Sequence, residues 1–253
     1  MARKSKLCAV HGKEWLLITP QFEWFKRNPI VPPVYDTEAS MGLWSGHTAF
    51  VVAPGPSLSR FPLDALCGKL TISLNSAIYV GRWRYACFAE TGWCQWFRLR
   101  PEFATEMAGR MAQQDLFLIG RTGVEWQLRK MPFRRIYLMR HQEEYGRPVD
   151  QEIGSTIFNA IAQARHMGCT RVVLIGADLS RAEGAYVKDL PHDPKAERDP
   201  LVAQREALKA VDFSPMEVLH VNPHCREWGM PWTQTAMDDA VRIARDAPEV
   251  SQE

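Results

Sequence analysis

The stretch with the clearest chemical potential is Pro54-Gly55-Pro56-Ser57, a tight turn directly after the apolar run at 48–53. Glycine has no Cβ, so another backbone or a ligand can approach Gly55 closely. Ser57 offers a hydroxyl, and the amides that open a helical turn attract anions. The stretch is neither a Walker loop nor a G-x-G-x-x-G fingerprint. On these residues alone, a connector capped at Ser57 and a phosphate cradle account for it equally well. If it is a cradle, Gly55→Val is expected to block the ligand and leave the fold intact. Asp178 follows the apolar run at 171–176. A carboxylate there either caps the next loop or contacts a ribose, a metal or an acceptor. Ser155 and Thr156 open a helical pattern. Capping accounts for them, and their N–H groups also suit a phosphate or a base. Asn75 ends the run at 70–75, and Asn222 follows the run at 217–221, just before Pro223. Glu90 follows the run at 85–89, where a surface carboxylate or helix cap competes with a ligand contact. Tyr186 and His192 lie in the loop GAYVKDLPHDP. A loop histidine is ordinarily a solvated residue, although imidazole titrates in the range a general base needs.

These residues need a scaffold, and the pattern of apolar runs supplies one. Strands are predicted at 48–53, 70–75, 85–89, 116–119, 136–139, 171–176 and 217–221. Helices are predicted at 101–114, 155–167, 195–211 and 234–245. The second carries Ile157, Ile161, Ala164 and Met167 at helical spacing and stops at Gly168. Apolar strands without alternation, separated by helices, predict an α/β fold. Its sheet is Rossmann-like and mostly parallel, with helices on both faces. Ligands of such sheets sit at the carboxyl edge of the strands. Residues 1–45, with Trp15, Trp24, Trp44 and Pro32-Pro33, lack that rhythm. They read as an irregular N-terminal extension whose tryptophans pack on the domain at 46–253; a partner-docking arm is the other reading.

The bulk composition narrows the function classes. The 253 residues are 46% hydrophobic and 24% charged, with a formal net charge of +2. That supports a folded α/β domain and does not call for nucleic acid. Arg82, Arg84, Arg98, Arg100, Arg134 and Arg135, with tryptophans among the first four, admit a nucleic-acid-directed role; a solvated basic face is the preferred reading. The six cysteines form no C-x-x-C pair and no zinc spacing, which points to reduced thiols in the cytoplasm. The basic start MARKSKLCAV lacks the apolar run of a signal peptide, and no stretch approaches the ~20 apolar residues of a membrane span.

The block FVVAPGPSLSRFPLDALCGKLTISLN resembles the opening signature of the 6-hydroxymethylpterin diphosphokinase (MptE-like) family. That family is similar to the flagellin-modifying motility accessory factors and to the CMP-sialic-acid-dependent bacterial sialyltransferases. In these groups a strand leads into G-x-G-P-S-L, and the next strand ends in Asn, here Asn75. A second block, GSTIFNAIAQARHMGCTRVVLIGADLS, resembles their Ser/Thr-rich helix start, helix, basic-led strand and terminal G-x-D. The matched blocks cover about 48–80 and 153–193. The resemblance implies that Gly55, Pro56, Ser57, Asn75, Ser155, Thr156, Asp178 and Asn222 bind nucleotide or phosphate. It implies that Tyr186 holds the leaving phosphate and that His192 is the general base for an acceptor hydroxyl. It also sets Glu90 near the ligand. Two departures stand out: Pro54 replaces a small residue or Asn, and Ser180 replaces a tyrosine expected just after G-x-D.

The function these readings imply is a transferase with a nucleotide-activated donor, a CMP- or UDP-linked sugar, and an unidentified acceptor. One alternative is an ATP-dependent diphosphokinase. It would require magnesium, with Asp178 and Glu90 as the available carboxylates. The other is a nucleotide-binding or assembly protein without catalysis.

Overall fold

A computed structural model describes residues 7–10, 13–16, 34–81, 83–88, 114–119, 134–139, 155–179, 201–222 and 228–250. Strands β1 (Leu7–Val10) and β2 (Lys13–Leu16) pair as an antiparallel hairpin. The main sheet has nine strands: β3 (Val34–Asp36), β4 (Thr48–Val52), β5 (Thr71–Leu74), β6 (Tyr85–Phe88), β7 (Asp115–Ile119), β8 (Arg135–Met139), β9 (Arg171–Ile175), β10 (Glu217–His220) and β11 (Thr233–Gln234). Their spatial order is β11-β10-β9-β4-β5-β6-β7-β8-β3, and every neighbouring pair is parallel.

The central strand shows why both faces must be covered. Ala49 and Val51 point into a core shared with Phe158 and Ile161 of helix α1 (Thr156–His166) and Leu208 of α2 (Leu201–Lys209). Phe50 and Val52 point to the other side, into a core with Ala240, Val241 and Ala244 of α3 (Met237–Asp246). A strand buried on both faces has no polar side to alternate with, so it reads as one continuous apolar run. All seven predicted strands are present. β3 and β11 escaped the pattern because they are three and two residues long and carry no apolar run. Of the helix predicted at 101–114, residues 101–113 lie outside the described residues. The β4–β5 crossover is made of two short 3-10 helices, Pro56–Arg60 and Leu63–Leu66, with Pro62 as the N-cap of the second. Prolines at 56 and 62 remove backbone donors and prevent one continuous α-helix.

The end of the N-terminal stretch joins this body. β3 pairs with β8 at the sheet edge, and the Trp44 indole donates to the Tyr85 hydroxyl at 2.8 Å. The amides of Gly42, Trp44 and Gly46 donate to the carbonyls of His166, Met167 and Gly168. They satisfy acceptors that the end of α1 leaves open. No helix among the described residues is long and apolar enough to cross a membrane.

Candidate functional site

The connection from β4 leads to β5 on one side, and the connection from β9 leads to β10 on the other. β4 and β9 are adjacent and their chains lead on to opposite sides of the sheet, the topology that sets a crevice at the carboxyl edge where the two chains part. Open parallel sheets bind ligands at such a switch point. Beyond the strands the two chains stay paired: Ala53 N–H donates to Ile175 O and Gly55 N–H to Gly176 O, each at 2.8 Å. Two glycines permit this closeness. A Cβ on Gly55 would lie 2.3 Å from Gly176 O and 2.6 Å from Asp178 Oδ2. Gly176 has φ +68°, and a Cβ there would lie 2.1 Å from Ala53 O. The close approach at Gly55 is therefore to the protein's own backbone and carboxylate. A valine at this position strains the β4–β9 edge itself, so the expectation that Gly55→Val leaves the fold intact does not hold.

Asp178 bridges the two halves of the crevice. Its Oδ2 accepts the Ser57 N–H at 2.7 Å, and its Oδ1 accepts the Ser57 hydroxyl. Asn222 Nδ2 donates to the Asp178 carbonyl at 2.8 Å, tying the end of β10 to the same point. The neighbouring donors of the turn are also used or missing: Leu58 N–H donates to Gly55 O at 3.0 Å, and Pro56 has none. The carboxylate thus sits where the sequence pattern suggested a ligand anion, and a phosphate reaching the Ser57 amide has to displace it.

Asn75 and the start of α1 lie along the same edge. β5 is in register with β4, so Asn75, just after β5, adjoins the crevice. Asn75 has φ +49°, a left-handed conformation unusual outside glycine, and its Oδ1 is buried without a hydrogen-bond partner. The Ser76 hydroxyl beside it is buried and unpartnered too. The C-terminal end of α1 pairs with 42–46, ahead of β4, so its N-terminal end lies at the carboxyl edge, over β4, β5 and β6. Ser155 is its buried N-cap, yet its side chain makes no capping hydrogen bond. Asn159 Nδ2 donates to the Ser155 carbonyl at 3.0 Å, and its Oδ1 is buried without a partner. Thr156 is the first residue of α1 and is partly exposed. The site therefore has unpartnered side-chain oxygens of Asn75, Ser76 and Asn159 along β5 and α1, while the turn after β4 is closed by Asp178.

The chain matches no family model and no curated protein. Its resemblance to the diphosphokinase and sialyltransferase groups rests on the two quoted blocks. Tyr186, His192 and Glu90 lie outside the described residues.

The structure also draws attention to a pair that the pattern reading passed over. His220 is buried near the end of β10, against Trp232, with 6.5 Å between ring centroids. Burial pushes the imidazole below its ordinary value of 6.5, and hydrogen bonding with the backbone of Asn222 and of Trp232 opposes this. The available signal was a histidine inside the apolar run EVLHV, where a polar side chain must be buried.

Proposed function

We propose that this chain is a transferase that uses a nucleotide-activated donor, with a glycosyl group as the transferred unit implied by the sequence resemblance. The observation that supports it is the switch point between β4 and β9, where unpartnered oxygens of Asn75 and Asn159 and the start of α1, to which the Ser155 side chain gives no cap, share one edge. In this reading the donor phosphate lies against Ser155 and Thr156, where helix amides favour an anion. Asn75 meets the base or ribose. Gly55, Pro56 and Ser57 form the crevice wall, and Asp178 and Asn222 flank the ribose or the acceptor. In the roles that the sequence resemblance implies, Tyr186 steadies the leaving phosphate and His192 removes the acceptor hydroxyl proton. The acceptor stays unspecified, and the place of work is the cytosol.

A thermal-shift panel of CMP, UDP, GDP, ADP and ATP, with and without magnesium, tests this. A ligand that binds only the native state at 100 times its Kd stabilises it by about 2.7 kcal/mol. Stabilisation by CMP or UDP without magnesium is the expected result. Stabilisation only by ATP with magnesium transfers the reading to a diphosphokinase. No stabilisation by any of the five overturns nucleotide use. Once a substrate is in hand, His192→Ala is expected to lower turnover by about two to four orders of magnitude with nucleotide affinity unchanged.

A further inference from the structure

Arg205 brings to the carboxyl edge a charge that the donor reading leaves unused. It lies on α2, three residues before Leu208, on the side of the helix that packs into the core shared with α1. Its guanidinium carbon sits 4.7 Å from the centroid of the Trp228 ring, and Nη1 donates to the Leu179 carbonyl at 2.8 Å. Leu179 follows Asp178 in the chain leaving β9, so this bond holds the guanidinium beside the switch point. The side chain is partly exposed, and among the described residues no carboxylate pairs with it. The Asp178 carboxylate is engaged by Ser57 instead.

The backbone that meets Arg205 is itself unusual. Leu179 has φ +49°, a left-handed conformation that a bulky side chain avoids. Its side chain is buried in the core with Phe158 and Ile161 of α1, and its carbonyl is tied to Arg205. Residues in such conformations persist where their surroundings over-determine them, and they cluster at ligand sites. Trp228 attracts the charge to its ring face, and Leu179 takes one N–H. A guanidinium carries further N–H donors in a fixed fork, which matches two oxygens of an anion. The start of α1, on the same face of the sheet, favours an anion as well.

We infer that Arg205, held by Trp228 and the Leu179 carbonyl, is the cation that binds the phosphate of the nucleotide donor at the β9 side of the switch point. It rests on the transfer reading for the identity of the anion. Free phosphate shares the chemistry of a nucleotide phosphate, and the experiment separates the two sources.

The test uses the full chain, with the Nε–H resonance of Arg205 followed by NMR and assigned by its loss in Arg205→Lys. The probes are inorganic phosphate, acetate, CMP, UDP, cytidine and uridine, titrated singly at an ionic strength fixed with sodium chloride. Saturable shifts with inorganic phosphate and with CMP or UDP, and none with the nucleosides, are the expected result. Arg205→Lys keeps the charge and removes the fork. It is expected to weaken the nucleotide about tenfold, which corresponds to about 1.4 kcal/mol, and to leave the affinity for its nucleoside as in the parent. If that variant does not fold, the titrations of the parent decide alone. An Arg205 signal that phosphate, CMP and UDP all leave in place overturns the inference. So does a response to acetate larger than that to phosphate, or an equal response to the nucleosides. CMP and UDP also report at the amides of Ser155 and Thr156. A nucleotide response there with Arg205 silent rejects the role of Arg205 and keeps the transfer reading. A response of Arg205 to inorganic phosphate, with neither nucleotide bound, keeps the anion site and rejects the transfer reading.

Discussion

Asp178 holds the crevice together, and removing it gives the most direct measure of that role. Asp178→Ala deletes two hydrogen bonds from Ser57 to a carboxylate. It leaves the Ser57 amide, on a residue 3% exposed, without an acceptor. Hydrogen bonds to charged groups contribute about 1.5–3 kcal/mol, and an orphaned buried donor costs about 1–3 kcal/mol. Asp178 is itself partly exposed, which sets the loss near the low end of the two hydrogen bonds together, at about 3 kcal/mol. For a chain of this size that lowers Tm by roughly 6–12 °C. Urea denaturation followed by tryptophan fluorescence provides the measurement. A double-mutant cycle with Ser57→Ala isolates the hydroxyl bond, with an expected coupling of about 1–2 kcal/mol. Inorganic phosphate added to Asp178→Ala is expected to recover part of the loss, because the vacated Ser57 N–H can then donate to an external anion. The parent, with Asp178 in place, should respond much less. A coupling below about 0.3 kcal/mol would refute the reasoning, since that is within the additivity of independent sites.

Gly55→Ala places a methyl group 2.3 Å from Gly176 O, so it is expected to destabilise by more than about 2 kcal/mol in the same denaturation assay; an unchanged midpoint would mean that the β4–β9 edge yields freely. The Cys87 thiol is pushed up to about 12 by burial, from an ordinary 9.0, and Cys169 likewise to about 12. The native protein therefore keeps these protons when the unfolded chain has lost them. Their contribution to stability is complete below pH 9.0 and lost as pH rises from 9.0 toward 12. At pH 8, a thiol reagent should label exposed Cys67 and spare Cys87 and Cys169 until the protein unfolds. His220 has the opposite sign on the acid side: its folded value lies below 6.5, so the unfolded chain binds the proton more readily. Its stabilising share is complete above 6.5 and falls as pH drops below it, and His220→Gln should flatten that part of a pH–denaturation profile without changing the carboxylate region.

What the amino-acid sequence determined by itself is the layered α/β scaffold and the edge where a site forms. β4 and β9 read as apolar runs after their first residue because a strand buried on both faces has no solvent side for polar residues to alternate on. The turn at Gly55 and the acid at Asp178 were legible as partners of one edge, since each follows a strand of that kind. Short-range pattern does not contain the strand order, and the order decides which loops meet. Only the tertiary structure set β9 beside β4, and with it the Asp178 carboxylate on the Ser57 amide, 121 residues away in the chain. The same step turned Gly55 from a door for a ligand into a contact with Gly176, because the Cβ space is filled by a backbone distant in sequence. β3 and β11 became strands because the open edges of a sheet offer unpaired donors and acceptors even to segments of two or three residues. His220 and Trp232 are 12 residues apart and unremarkable as residue types. Their joint burial comes from the packing of β10 against a chain that returns to it, and packing is a property of the folded whole.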